Sequence, residues 1–332
     1  MISNIQILRA IAAILVVAFH AVPTAKSYQL STDFFYKIDV WGSAGVDIFF
    51  VISGFIMIYI QNKKNKTPAE FMKDRIERIA PLYWFLTLSF SFLLFIFPSA
   101  FNVWAFDFKT LINSLFFINY LTSGNYPVLF VGWTLEYEML FYLVFALSLF
   151  IKNIFYSTII CILSLISMVY AGLNDIVLEF CFGMLIGLIF SKTKIQINSF
   201  VCFISIVVGF YLLTVDWNFE LPRFMIWGLP SLLIFIGFLY LKPIKSRLFE
   251  LLGSASYSIY LVHVFVILIS YRVFSHFGQL DILFINEIYV ILSILASIVA
   301  GVLLHYIVEK PLANLVDKFK NGLKRKFFEA NY

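Results

Sequence analysis

The sequence predicts an all-α fold, a polytopic membrane helix bundle that forms a single domain over residues 1–332. Hydrophobic residues make up 62% of the chain and charged residues only 13%, a composition that excludes an ordinary soluble domain. Apolar runs of about 16 to 23 residues recur along the chain, which is the length of helices that cross a hydrocarbon core about 30 Å thick. The strands of a β-barrel would be shorter and would alternate in polarity.

About ten such runs are predicted to be transmembrane helices, which places both termini on one side. Of the 24 Lys and Arg residues, 19 fall in the segments of that side and five in the other segments. Basic residues are retained on the cytoplasmic face, so both termini are predicted to be cytoplasmic. The predicted spans are 5–22, 43–60, 79–97, 129–150, 154–171, 176–190, 200–215, 223–241, 255–275 and 286–308.

The net charge of +5 follows from this topology and indicates contact with anionic lipid headgroups, above all through the basic tail at about 312–332. No nucleic-acid partner is expected. The three cysteines are odd in number and lack CxxC spacing, so we expect neither a disulfide nor a metal site. No permanently bound cofactor is expected. The sequence contains no GxSxG elbow, P-loop, HExxH or dinucleotide fingerprint, which leaves hydrolase, ATPase, zincin and redox functions without support.

Arg9 and His20 are the ionisable residues in the first apolar run, Ile5 to Val22. Eleven residues at about 100° and 1.5 Å each return to nearly the same helix face, roughly 16 Å further along. One stripe then carries a cation near one membrane face and an imidazole deeper in the bilayer, which suits a reaction with a charged cytoplasmic donor. Alternatively, His20 is a packing or hydrogen-bonding group. The run itself is expected to be retained rather than cleaved as a signal peptide.

Further charged candidates follow in the second span and just before the third. Asp47 lies at the outer end of the second span among small residues, where it would either orient an imidazole or cap the helix start. Arg75 and Arg78 are three residues apart and share a helix face at the membrane boundary. Their guanidinium groups would either grip phosphates or act as ordinary cytoplasmic anchors.

The longest stretch outside the spans, at about 98–128, contains an apolar segment from Leu111 to Leu121. This segment is too short to cross, so it predicts an interfacial or re-entrant helix on the outer face. The next span opens with Glu136 and Glu138. Residues two apart face different ways, so one carboxylate is expected to work and the other to be solvated or capping.

A polar stripe near the end of the chain joins Ser256, Tyr260 and His263 on one helix face. Such a stripe either lines a cavity or cross-links helices. The other two histidines, His276 and His305, are assigned no catalytic role.

These features together resemble the acyltransferase-3 family of integral membrane acyltransferases, in its exopolysaccharide O-acetyltransferase branch. The resemblance runs nearly end to end. We expect no extracytoplasmic hydrolase-like domain of the kind that two-domain members carry. The matching features are Arg9 and His20, the GVDIFFVISGF run at 45–55, Arg75 and Arg78 before Pro81, Trp133-Thr134-Leu135 with Glu138 and Phe141-Tyr142, the run from Ser256 to His263, and Glu309-Lys310-Pro311.

The resemblance implies a plasma-membrane O-acyltransferase that moves an acyl group, usually acetyl, from cytoplasmic acyl-CoA to a hydroxyl of an exopolysaccharide or another envelope glycan. Acetyl-CoA is then a co-substrate, and the acceptor is a polysaccharide or lipid-linked saccharide. Arg9, Arg75 and Arg78 match arginines that engage the donor. Glu138 holds the family position, although Glu136 stands where a small polar residue is common.

In the mechanism that we expect, neutral His20 takes the proton from the sugar hydroxyl as it attacks the thioester, and Asp47 or Glu138 orients the imidazole. A covalent acyl-histidine intermediate is the competing version. A flippase or transporter of a lipid-linked saccharide and an inactive scaffold are the alternative functions. The candidate substrate-binding residues are Trp133, Tyr257, Tyr260 and His263.

Overall fold

The structure is a computed structural model that describes residues 3–30, 35, 37–97, 106–193, 195–217, 221–277 and 284–329, with side chains up to 318 and at 320. Every regular element in these ranges is helical, as the sequence predicts. Contacts divide the chain into two compact units, Met1–Pro68 with Leu143–Val302 (unit 1) and Ala69–Tyr142 with Leu303–Tyr332 (unit 2). The single domain predicted over residues 1–332 stays a prediction.

The described residues form α-helices joined by short loops, with two 3-10 turns and two π turns. The 3-10 turns are Phe130–Gly132 and Asp175–Val177, and the π turns are Phe224–Gly228 and His305–Glu309. The α-helices are α1 (Ser3–Ser27), α2 (Ile38–Trp41), α3 (Ala44–Lys64), α4 (Pro68–Ile96), α5 (Phe108–Leu115), α6 (Asn119–Ser123), α7 (Trp133–Ser148), α8 (Ile154–Tyr170), α9 (Leu178–Lys192), α10 (Ser199–Thr214), α11 (Leu229–Tyr240), α12 (Arg247–Phe277), α13 (Ile285–Leu304) and α14 (Lys310–Glu329).

Six helical segments in the described part of the chain are long and apolar enough to cross a membrane. The other four predicted spans also coincide with helices, but these have only 15 to 17 residues, fewer than the about 20 that a crossing requires. The number of about ten crossings therefore stays a prediction. The six segments are Ser3–Ser27, Ile38–Lys64, Pro68–Ile96, Phe130–Ser148, Arg247–Phe277 and Ile285–Lys318.

Helix α1 is the central element of unit 1, because it contributes to both apolar clusters of that unit. Ile5 and Leu8 pack in a cluster with α3, α10 and α11, whereas Ala13 and Val17 pack in a second cluster with α12 and α13. A helix that is apolar on all sides must be buried. Both polar residues of the α1 stripe are consequently positioned by the core of the unit.

Close approach between α3 and α9 depends on glycine. A Cβ atom at Gly54 would collide with the carbonyl of Phe180, and one at Gly183 would collide with the carbonyl of Val51. Small residues let membrane helices pack backbone against backbone. This crossing carries Asp47 of α3 and Glu179 of α9 within one buried region.

In unit 2, the segment predicted as one short helix over Leu111–Leu121 is two helices, α5 and α6. The chain breaks between them at Phe117, which adopts a left-handed φ of 58° and stacks on the buried ring of Tyr83 at 4.7 Å between ring centroids. The chain leaves helical geometry at Phe117, and the Phe117 ring stacks on Tyr83 of α4 instead. Residues 98–105 of the predicted 98–128 stretch lie outside the described residues.

The start of α5 is a capped helix end. The Asp107 carboxylate accepts two hydrogen bonds from Thr110, one from the hydroxyl at 2.5 Å and one from the backbone N–H at 2.7 Å. These hydrogen bonds hold the pKa of the Asp107 carboxyl below its usual value. A negatively charged N-cap residue also interacts favourably with the positive end of the helix dipole. Helix α5 therefore begins at a defined residue.

Candidate active site

A pair of histidines links α1 to α12 in unit 1. His20 Nδ1 lies 3.2 Å from His263 Nε2, and the two ring centroids are 5.0 Å apart. His263 is fully buried, whereas His20 is half-buried. The structure thus brings together two residues that are 243 positions apart, one predicted as catalytic and one as substrate-binding.

Two backbone carbonyls determine the tautomers of this pair. His263 Nδ1 lies 2.7 Å from the Tyr260 oxygen, and His20 Nδ1 lies 2.9 Å from the Val16 oxygen. Because a carbonyl oxygen only accepts, both Nδ1 atoms carry the proton in the neutral rings. His263 Nε2 is then an acceptor for the His20 Nδ1–H, and the lone pair of His20 lies on Nε2.

Tyr260 of the α12 stripe packs beside His263. Tyr260 is buried, and its ring lies 5.9 Å from that of His263 and 6.3 Å from that of Phe49. Tyr257 is half-buried. The hydrogen bond to His20 makes His263 a cross-link between helices.

Asp47 forms the core of a buried charge cluster in unit 1. Its Oδ2 accepts a hydrogen bond from Arg223 Nη2 at 2.7 Å. Glu179 is fully buried, as is Asp47, and both carboxylates interact with Arg223. Arg223 also lies over the Trp227 ring at 4.4 Å. The predicted role of Asp47 beside the imidazole stays a prediction; the contact that the structure gives its carboxylate is the Arg223 guanidinium.

Arg9 lies on the same helix as His20, roughly 16 Å nearer to the N-terminus along the axis. Its Nη1 donates to Gln6 Oε1 at 3.4 Å. This end of α1 is anchored by Asn4, whose Nδ2 donates to the Leu241 carbonyl at 2.8 Å. The continuous helix therefore separates the cation from the imidazole by roughly 16 Å along its axis, as their spacing predicts.

In unit 2, the Glu138 carboxylate accepts a hydrogen bond from Tyr142 Oη at 2.6 Å. The guanidinium of Arg75 lies 5.9 Å from the Tyr142 ring and 5.9 Å from the Phe71 ring. Arg75 Nε is buried and has no hydrogen-bond partner among the described residues. The α4 arginine and the α7 glutamate are thus connected through one tyrosine.

Glu136 has a different environment in the same unit. It is fully buried, and its Oε2 accepts the backbone N–H groups of Tyr120 and Leu121 at 2.8 and 3.1 Å. It therefore closes the first turn of α6, whose N–H groups lack helical acceptors. This structural role separates Glu136 from Glu138.

Arg78 pairs with Glu309 at 3.4 Å, and the other oxygen of Glu309 lies 2.7 Å from His305 Nδ1. His305, to which the sequence assigned no catalytic role, is buried in this network.

Trp133 belongs to an aromatic group with Tyr120 and Tyr137, at 5.7 and 5.9 Å between ring centroids.

Sequence reasoning missed two members of the Asp47 cluster. Glu179 stands inside the apolar run predicted at 176–190, and a carboxylate within such a run is itself a signal. Arg223 is one of the five basic residues outside the segments predicted to be cytoplasmic. No local pattern assigns it to Asp47, which is 176 positions away.

The chain matches the acyltransferase-3 family profile, described as an acyltransferase domain, over residues 2–307. It belongs to the acyltransferase-3 family. The exopolysaccharide production protein ExoZ of Rhizobium meliloti (strain 1021) is 38% identical to this acyltransferase over 254 residues, which cover 68% of this chain and 77% of ExoZ. No solved structure matches the chain significantly.

The two glutamates of α7 give opposite predictions for this acyltransferase. Glu136→Gln should keep acyl transfer, because the amide oxygen can accept the same two N–H groups. Glu136→Ala should lower the free energy of unfolding by about 1–3 kcal/mol, the cost of unmade buried hydrogen bonds. Glu138→Gln should keep the melting temperature and lose at least about 100-fold in transfer rate, as expected for a carboxylate that orients a catalytic imidazole.

Transfer rates and melting temperatures of the purified variants check this prediction. An active Glu138→Gln enzyme beside an inactive, folded Glu136→Gln enzyme would reverse the assignment.

Proposed function

We propose that this acyltransferase moves an acetyl group from cytoplasmic acetyl-CoA to a hydroxyl of an exopolysaccharide or its lipid-linked precursor in the plasma membrane. The observation that carries the proposal is the histidine pair, in which His20 Nε2 has the lone pair that a general base needs. The family supplies the acyl-transfer chemistry. The name of ExoZ supports an exopolysaccharide as the acceptor.

In the proposed step, His20 Nε2 takes the proton of the sugar hydroxyl while that oxygen attacks the thioester carbonyl. The bond from carbonyl carbon to sulfur then breaks, and the proton on His20 goes to the departing CoA thiolate. The His20 cation is stabilised through Nδ1–H by two acceptors, the Val16 carbonyl and neutral His263. General bases of this kind contribute about 10²–10⁴-fold to a rate.

Arg9, Arg75 and Arg78 are the proposed ligands of the anionic donor. Arg75 supports this role best, because its buried Nε has no hydrogen-bond partner among the described residues while two aromatic rings hold its guanidinium. Planar guanidinium groups match phosphate oxygens bidentately. Asp47 and Glu138 remain proposed partners of the catalytic imidazole.

The proposed topology places all ten predicted helices in the membrane, with both termini in the cytoplasm. The distribution of 19 basic residues against five supports it. The four shorter helices then cross a locally thinned bilayer or are covered by neighbouring helices. In this orientation Arg9, Arg75 and Arg78 all lie at the face from which CoA enters.

Transfer of label tests the proposal. Membranes that contain the full chain, supplied with acetyl-CoA radiolabelled in the acetyl group and with the host exopolysaccharide, should incorporate alkali-labile label into the glycan. Membranes from cells that carry an empty vector are the control. Release of CoA thiol should match the incorporated acetyl groups one to one.

Two results would contradict the proposal. Label that appears equally in the control membranes would assign the transfer to another enzyme. Movement of lipid-linked saccharide across the membrane without any acetyl-CoA consumption would favour the transporter function.

A further inference from the structure

A cleft in unit 1 lies between α2, the C-terminal end of α10 and the π turn Phe224–Gly228. Its volume is about 230 Å³, below the roughly 300–1,000 Å³ of pockets for drug-sized ligands. That space suits one unit of a longer chain. The residues that line it include Lys37, Trp41, Asp216, Trp217 and Trp227.

The tryptophans are the unusual feature of this cleft. The chain has six tryptophans, and Trp41, Trp217 and Trp227 all face this one space. Tryptophan is common at membrane interfaces, but an interfacial belt spreads its rings around the protein. Convergence of three half-buried indoles on one cleft indicates a binding surface.

Local contacts hold two of these rings in place. Trp217 Nε1 donates to the Leu212 carbonyl at 3.2 Å, and the Arg223 guanidinium lies over the Trp227 ring at 4.4 Å. Arg223 in turn is paired with Asp47. The aromatic wall is therefore connected to the buried charge cluster of Asp47 and Glu179.

The rim of the cleft is polar. Lys37 Nζ forms an ion pair with the Asp216 carboxylate, and 70% of the Asp216 side chain is exposed. An ammonium group donates hydrogen bonds and a carboxylate accepts them. The cleft thus offers apolar aromatic faces together with one donor group and one acceptor group.

We infer that this cleft is a subsite for one sugar ring of the acceptor glycan. A pyranose presents carbon-bound hydrogens on its faces and hydroxyl groups around its edge. The faces match indole rings, and the hydroxyl groups match the Lys37–Asp216 pair. The inference rests on the proposed function for the identity of the glycan. It places the saccharide beside α2, which is followed by Gly42, a residue packed against Phe19, the chain neighbour of His20.

Binding without an acetyl donor tests the inference separately from catalysis. The probe is an oligosaccharide cut from the host exopolysaccharide, titrated calorimetrically into the purified full chain in detergent. Trp217→Leu should weaken binding by roughly three- to tenfold, the effect of one aromatic contact. Asp216→Asn, which removes a rim charge and little volume, should also weaken binding.

Trp84→Leu is the matched control, because Trp84 is a partly exposed tryptophan of α4 outside the cleft. It should bind the oligosaccharide as the wild type does. Melting temperatures identify any variant that fails to fold. If Trp217→Leu fails to fold, the affinity of the Asp216→Asn protein tests the inference. Equal affinities of the wild type and folded cleft variants, or no binding by the wild type, would overturn the inference. Cleft-dependent binding without acetyl transfer would uphold the subsite and refute the proposed function alone.

Discussion

Membranes that carry His20→Ala should transfer at least about 100-fold less acetyl label to glycan than wild-type membranes, the lower limit for loss of a general base. The variant removes the Nε2 lone pair and leaves only a small gap, because His20 is half-buried. The protein should therefore remain in the membrane at its normal level. Initial rates of label incorporation, divided by immunoblot signal, measure the effect.

His276→Ala is the control for this experiment. His276 is exposed, and its ring contacts only the Arg272 carbonyl of its own helix among the hydrogen bonds described for it. We expect its activity to equal that of the wild type. A fully active His20→Ala enzyme would exclude both the general-base mechanism and the acyl-histidine mechanism.

His263 should have a graded effect, because it acts through His20. His263→Gln retains an acceptor for the His20 Nδ1–H and should keep more activity than His263→Leu, which has none. Removing one hydrogen bond to a charged group costs about 1.5–3 kcal/mol. Equal activity of the two variants would show that the acceptor is irrelevant to catalysis.

The largest expected loss of stability comes from Arg223→Gln. This change leaves the fully buried Asp47 carboxylate without its guanidinium partner, next to buried Glu179. Breaking a buried ion pair from one side costs roughly 3–5 kcal/mol. Thermal unfolding of the purified protein in detergent should register the loss as a clearly lowered melting temperature.

Two companion variants identify the cause. Lys26→Gln breaks the Lys26–Asp39 pair, in which 52% of the lysine side chain is exposed, and exposed pairs contribute only about 0–1 kcal/mol. Arg223→Gln combined with Asp47→Asn should recover part of the lost stability, because the Asp47 charge is removed while buried Glu179 still lacks the guanidinium. Equal melting temperatures of the Arg223→Gln and Lys26→Gln proteins would refute a stabilising role for the buried pair.

The helices of this protein could be predicted from the sequence, because the bilayer imposes a length and a polarity on each crossing segment. All ten predicted spans coincide with helices. Likewise, the eleven-residue spacing of Arg9 and His20 was sufficient to place both on one continuous helix, since helical periodicity is local. The family resemblance also rested on short motifs in chain order, and the family match confirms it.

The sequence by itself therefore determined what depends on near neighbours in the chain. These features are the helices, their apolar character and the residues whose side chains could take part in catalysis or binding. Only the tertiary structure decided which of those residues meet. His20 donates to His263 on α12, and Asp47 pairs with Arg223, which precedes α11. Glu136 accepts N–H groups at the start of α6, whereas Glu138 accepts a hydrogen bond from Tyr142. Each partner lies on another helix or a turn away, and helix packing, which no local pattern encodes, brings the two together.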